Sequence, residues 1–159
     1  MADADDKVAL CVATFYDVLA SKLEQGAREA LGAAGFSSED SVVRYEVPGC
    51  FELPMIARFA AESGRYVAII ALGAVIRGET DHYDYVCGEA ARGIQQVQLL
   101  SGVPIGFGVL TVDTMDQALA RVTGGTKRDT GAHAVEAALA SLAVKKSLQE
   151  RPQRLGFGA

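Results

Sequence analysis

Four short, almost unbroken apolar runs, each followed by a stretch of helical spacing, restrict what this chain can fold into more than any other feature. The first is Lys7 to Thr14 (KVALCVAT), too continuously apolar for a half-exposed strand, so it reads as a strand covered on both faces. Asp17 to Ala34 follows, with Val18, Leu19, Leu23, Ala27 and Leu31 on one face and Gly35 as the stop, which predicts an amphipathic helix. The alternation continues with Ser41 to Val47 as strand, Phe51 to Glu62 as helix closed by Ser63-Gly64, and Tyr66 to Val75 as the most apolar strand. A helix over Tyr83 to Leu100, a strand over Pro104 to Val112, a short helix over Met115 to Arg121 and an Ala-rich helix over Gly131 to Leu148 complete the series.

Strands separated by helices of this length require right-handed crossovers, hence a parallel sheet with helices on both faces. The expected fold is a flavodoxin-like three-layer α/β/α sandwich around a four-stranded parallel sheet. With 159 residues, half of them apolar, the chain suits one domain over residues 1–159, with 1–6 and 151–159 as loose tails. The net charge of −5 is spread along the sequence and offers no basic stripe, which argues against nucleic acid as a partner. No apolar run has the length of a membrane span, and the start MADADDK is acidic where a secretion signal needs basic residues, so a cytoplasmic location is expected. Three cysteines without a Cys-x-x-Cys pair fit a reducing compartment and argue against a disulfide frame or a metal site.

Ligands of open parallel sheets bind beyond the carboxyl ends of the strands. Those ends carry Phe15-Tyr16-Asp17, Pro48-Gly49-Cys50-Phe51-Glu52, Gly78-Glu79-Thr80-Asp81-His82 and Thr111-Val112-Asp113-Thr114. Each has a plain structural reading: Thr80 or Asp81 as a helix cap, Asp84 as a first-turn acid, Phe15 and Phe51 as core, His82 as a structural hydrogen-bonder. Their coincidence on one edge favours a site. Gly73, Gly78 and Thr80 match positions of the nucleotide-hydrolase phosphate loop, but Glu79 stands where its lysine is needed, which excludes that class. A helix N-terminus at Gly78 still suits a phosphate monoester, because free amides and the helix dipole both favour an anion. Arg77, Arg121, Lys127 and Arg128 are the candidate cations, with solvated surface charge the preferred reading of the last two.

The chain resembles the 6,7-dimethyl-8-ribityllumazine synthase family. The resemblance rests on Val47-Pro48-Gly49-Cys50-Phe51-Glu52-Leu53-Pro54, Ala71-Leu72-Gly73-Ala74-Val75-Ile76-Arg77-Gly78-Glu79-Thr80 and His82-Tyr83-Asp84-Tyr85-Val86-Cys87, then Gly106-Phe107-Gly108-Val109-Leu110-Thr111 and Asp116-Gln117-Ala118-Leu119-Ala120-Arg121. It implies condensation of 5-amino-6-(D-ribitylamino)uracil with 3,4-dihydroxy-2-butanone 4-phosphate in riboflavin biosynthesis, with no metal or organic cofactor. It implies His82 as the proton-transfer residue, Phe15 stacked on the pyrimidine, and Phe51 and Glu52 on the ribityl chain and ring edge. Gly78, Glu79 and Thr80 would hold the phosphate, and Cys50, Ala74, Val75 and Ile76 complete the implied substrate contacts. Phe107 and Arg121 would arrive from a neighbouring subunit, since the family's sites lie between subunits of a pentamer.

Two departures from the family pattern stand out: Cys50 replaces the usual Ala or Ser, and the Gly-Asn-Lys-Gly before the last helix becomes Arg128-Asp129-Thr130-Gly131. Thr130 thus replaces a lysine, whose part Lys127 or Arg128 could take. That replacement motivates an alternative, a homologue that binds flavin or lumazine without turnover. An electron carrier or a phosphoacceptor domain finds no matching chemistry at the strand ends. Only six residues precede the first strand, too few for the extra strand of shell-forming relatives, so pentamers or pairs of pentamers are expected.

Overall fold

β1 (Val8–Ala13) is buried at all six positions and lies inside the sheet, as its unbroken apolar sequence requires. The structure, a computed structural model, describes residues 5–149. β1 pairs in parallel with β2 (Val42–Val47) on one side and β3 (Ala68–Ile76) on the other, and β3 pairs in parallel with β4 (Ile105–Val112), giving the order β2-β1-β3-β4. The register sets Val8 opposite both Val42 and Ala68, and Ile69 opposite Ile105.

Successive side chains of a strand point to opposite faces, so the central strands feed two cores. Val8, Leu10 and Val12 join Ile70 and Leu72 beneath α1 (Asp17–Ala33) and α5 (Thr130–Gln149), against Leu19, Leu23, Ala134 and Val135. Ala9, Cys11 and Ala13 join Ile69 and Ala71 beneath α2 (Leu53–Glu62) and α3 (His82–Ser101), against Leu53, Ala57, Ala90 and Ile94. Each fully buried leucine or isoleucine contributes about 1.5–3 kcal/mol. The three-layer α/β/α arrangement of the expected fold is thus present. The edge strand β2 exposes Arg44 and Glu46, and Arg44 meets Glu24 at 2.8 Å and Glu46 at 2.6 Å, a charged edge that discourages unwanted strand pairing.

The element bounds depart from the sequence reading where tertiary pairing intervenes. β3 continues to Ile76 because β4 runs beside it as far as Val112. The helix expected from Phe51 opens as a 3-10 turn over Cys50–Glu52, and α2 begins at Leu53 with Pro54 in its first turn, where a missing N–H costs nothing. α4 (Met115–Leu119) is shorter than expected and is capped by Thr114, whose hydroxyl accepts the Gln117 amide at 3.2 Å. A further 3-10 turn, Glu39–Ser41, precedes β2. Of the expected tails, Asp5 is exposed and Asp6 is tied to Lys146 at 2.8 Å, while positions 1–4 and 151–159 lie outside the described residues. No helix among the described residues is long and apolar enough to cross a membrane.

Candidate active site

Because every strand runs the same way, all four carboxyl ends share one edge, and the chain leaves β1 and β3 toward opposite faces. That divergence opens a crevice, the general place for ligands in such sheets. A cavity of about 550 Å³ occupies it, within the size range of small-molecule sites. Phe15 and Tyr16 follow β1, Gly49, Cys50, Phe51 and Glu52 form the turn after β2, and Ala74, Val75 and Ile76 are the last residues of β3. Gly78, Thr80 and His82 enter from the loop into α3. Ten of the thirteen residues expected in the site therefore meet in one hollow; Glu79, Phe107 and Arg121 do not line it.

Tyr83, Tyr85 and Val86 also line the cavity, and none was among the expected site residues. A signal for two of them existed, since Tyr85 and Val86 stand three and four residues after His82 and so share its helix face. The mouth is unusually aromatic: Phe15 is 76 % exposed, Phe51 57 % and Tyr85 71 %. Phe15 packs edge-on against Tyr16 with ring centroids 5.0 Å apart, which leaves a Phe15 face open for a flat ring.

Cys50 has a structural part in the same wall. Its Sγ lies 3.7 Å from the Ala74 carbonyl and sits in the space left by Gly73, where a Cβ would come within 2.5 Å of the sulfur. Burial pushes this thiol up to about 12, so at neutral pH it is protonated and is not a nucleophile. It anchors to β3 the turn that presents Phe51 and Glu52.

At the start of α3, Asp81 makes no side-chain cap, and the Thr80 hydroxyl accepts the His82 amide at a long 3.4 Å. Arg77, one of the candidate cations, is engaged elsewhere: it meets Asp113 at 3.0 Å and Asp84 at 3.5 Å and lies 4.1 Å over the Tyr83 ring. Arg121, Lys127, Arg128, Thr130 and His133 line a separate hollow at the start of α5, and no residue belongs to both hollows. Arg128 is paired with Glu136 at 2.8 Å, and Arg121 donates to the Gln117 carbonyl at 2.8 Å. Among the described residues neither Arg121 nor Lys127 meets a carboxylate, which leaves both cations available to an outside anion. One chain thus carries an aromatic, histidine-bearing hollow and a cationic one, held apart.

Comparison with known proteins gives a consistent result. The family model for 6,7-dimethyl-8-ribityllumazine synthase matches residues 5–146. A protein of that name from Nitratidesulfovibrio vulgaris is 44 % identical over 144 residues, covering 91 % of this chain and 89 % of the relative. Another from Chlorobium luteolum is 46 % identical over 138 residues, covering 87 % and 86 %.

Proposed function

As the chain belongs to the 6,7-dimethyl-8-ribityllumazine synthase family, transferases of riboflavin biosynthesis, we propose that it condenses 5-amino-6-(D-ribitylamino)uracil with 3,4-dihydroxy-2-butanone 4-phosphate. The observation that carries this reading is the single hollow that gathers Phe15, Phe51, Glu52, Gly78, Thr80 and His82 from three strand ends.

The pyrimidine stacks on the open face of Phe15, with Glu52 accepting hydrogen bonds from the ribityl hydroxyls. The phosphate of the second substrate sits against Gly78 and Thr80 at the helix N-terminus. In the reaction, the 5-amino group attacks the ketone and loses water to give an imine. Phosphate then leaves, the resulting enol tautomerises to a ketone, and attack by the ribitylamino nitrogen closes the ring and expels a second water. His82 gives and takes protons through these steps, a contribution of about 10² to 10⁴ in rate. Holding both substrates in one orientation supplies most of the remainder.

Arg121 and Phe107, which do not line this hollow, complete it from a neighbouring copy in a ring of five, or in two such rings. Thr130 favours one other reading, a homologue that binds lumazine or flavin without turnover. One assay separates the two: purified protein with both substrates, followed for lumazine formation against the uncatalysed blank. Acceleration supports the synthase. Tight lumazine binding without acceleration moves the assignment to the binder, and the absence of both acceleration and binding removes both readings.

A further inference from the structure

Asp129 joins three parts of the chain. Its Oδ1 accepts the Ala132 amide at 3.0 Å, the capping contact of α5, while its Oδ2 lies 2.6 Å from the Thr123 hydroxyl. That hydroxyl is also 3.0 Å from the Lys22 carbonyl of α1. The carboxylate fills a notch made by Gly26 of α1, where a Cβ would stand 2.4 Å from it. Asp129 therefore stitches the segment between α4 and α5 onto α1, a hundred residues away in sequence.

That segment carries the cationic hollow. By capping α5, Asp129 fixes the first helical residue, Thr130, whose amide donates to the Arg121 carbonyl at 2.9 Å. The Lys127 amide closes the same segment onto the Ala120 carbonyl at 2.7 Å. The backbone beneath Arg121 and Lys127 is thus tied down by these two amide–carbonyl bonds together with the Asp129 cap. We propose that Asp129 is a positioning residue for anion recognition: through Thr130 it sets Arg121 where the phosphate of the substrate is received. The inference rests on the synthase reading, because that reading supplies the phosphate.

The test compares wild type, Asp129→Ala, Asp129→Asn and Thr123→Val by steady-state kinetics with each substrate varied, and by calorimetric titration with inorganic phosphate. Asparagine keeps an acceptor for the Ala132 amide and a partner for Thr123, so it is the rescuing change. The expected result for Asp129→Ala is a KM for the butanone phosphate raised roughly tenfold with the pyrimidine KM unchanged, a selective loss of binding that general loosening does not produce. Inorganic phosphate weakens in parallel, and Asp129→Asn recovers both. Should Asp129→Ala fail to fold, Thr123→Val carries the same expectation in milder form. Equal phosphate affinity and equal butanone-phosphate KM in wild type and the folded variants would overturn the proposal while leaving the synthase reading intact. If wild type makes no lumazine, that reading falls, and the phosphate titration alone decides: weaker binding in the variants supports Asp129, whereas unchanged binding or no binding by wild type sinks it.

Discussion

Cys50 and Gly73 form a matched pair, the sulfur of one occupying the space the other leaves. Gly73→Ala forces a Cβ to within 2.5 Å of that sulfur and 3.0 Å of the Ala13 methyl, and the expected cost of such overpacking is about 1–3 kcal/mol. Adding Cys50→Ala relieves part of it, so a double-mutant cycle in urea reads a favourable coupling, and strict additivity would refute the pairing. His82 is exposed at the first position of α3, so His82→Ala leaves the thermal midpoint within a few degrees and lowers kcat by about 10²-fold or more. Unchanged turnover would remove it from the mechanism. Cys11 is fully buried, and burial raises its thiol to about 12. Its protonated form is shared by folded and unfolded chains below about pH 8.5; above that the unfolded chain loses a proton the folded one keeps. Stability is therefore complete below about pH 8.5 and falls toward pH 12, by up to about 1.4 kcal/mol per pH unit for each such thiol. Urea midpoints measured from pH 7 to 10 should decline, and less steeply in Cys11→Ala.

At the level of elements, β1 and β3 were legible because a strand buried on both faces has no polar alternation, and Val8 to Val12 shows none. The edge strand was legible for the opposite reason, since Arg44 and Glu46 alternate with apolar neighbours. What the sequence hid was set by contacts between elements. In the 3-10 turn after Val47 Cys50 reaches across to Ala74, and the part of Asp129 depends on a glycine one hundred and three positions earlier. Most of the cavity was readable from the strand ends, whereas the engagement of Arg77, one of four candidate cations, with Asp84, Asp113 and Tyr83 was not. α2 and α3 present apolar side chains outward: Phe59 is 57 % exposed and Leu100 81 %. Such a face marks association rather than chain stability. Leu100→Glu is expected to keep helix content by circular dichroism and shift stability by no more than about 0.5 kcal/mol, while lowering the particle mass. An unchanged mass would place the contact elsewhere.

On the scale of the whole molecule, light scattering should give a particle of five or ten chains, and a sixty-chain mass would contradict the assembly proposed above. The separation of the two hollows carries a consequence for inheritance of activity. If the working unit is the seam between neighbours, each seam takes its histidine wall from one copy and its arginine wall from the next. His82→Ala chains, slow in turnover, and Arg121→Ala chains, weak in their use of the butanone phosphate, then complement one another when unfolded together in equal amounts, reassembled and assayed at limiting butanone phosphate. Random placement around a ring gives about one seam in four with both walls intact, so the mixture should recover close to a quarter of wild-type turnover. Two broken enzymes make a partly whole one, and a defect belongs to a pair of neighbours before it belongs to a chain.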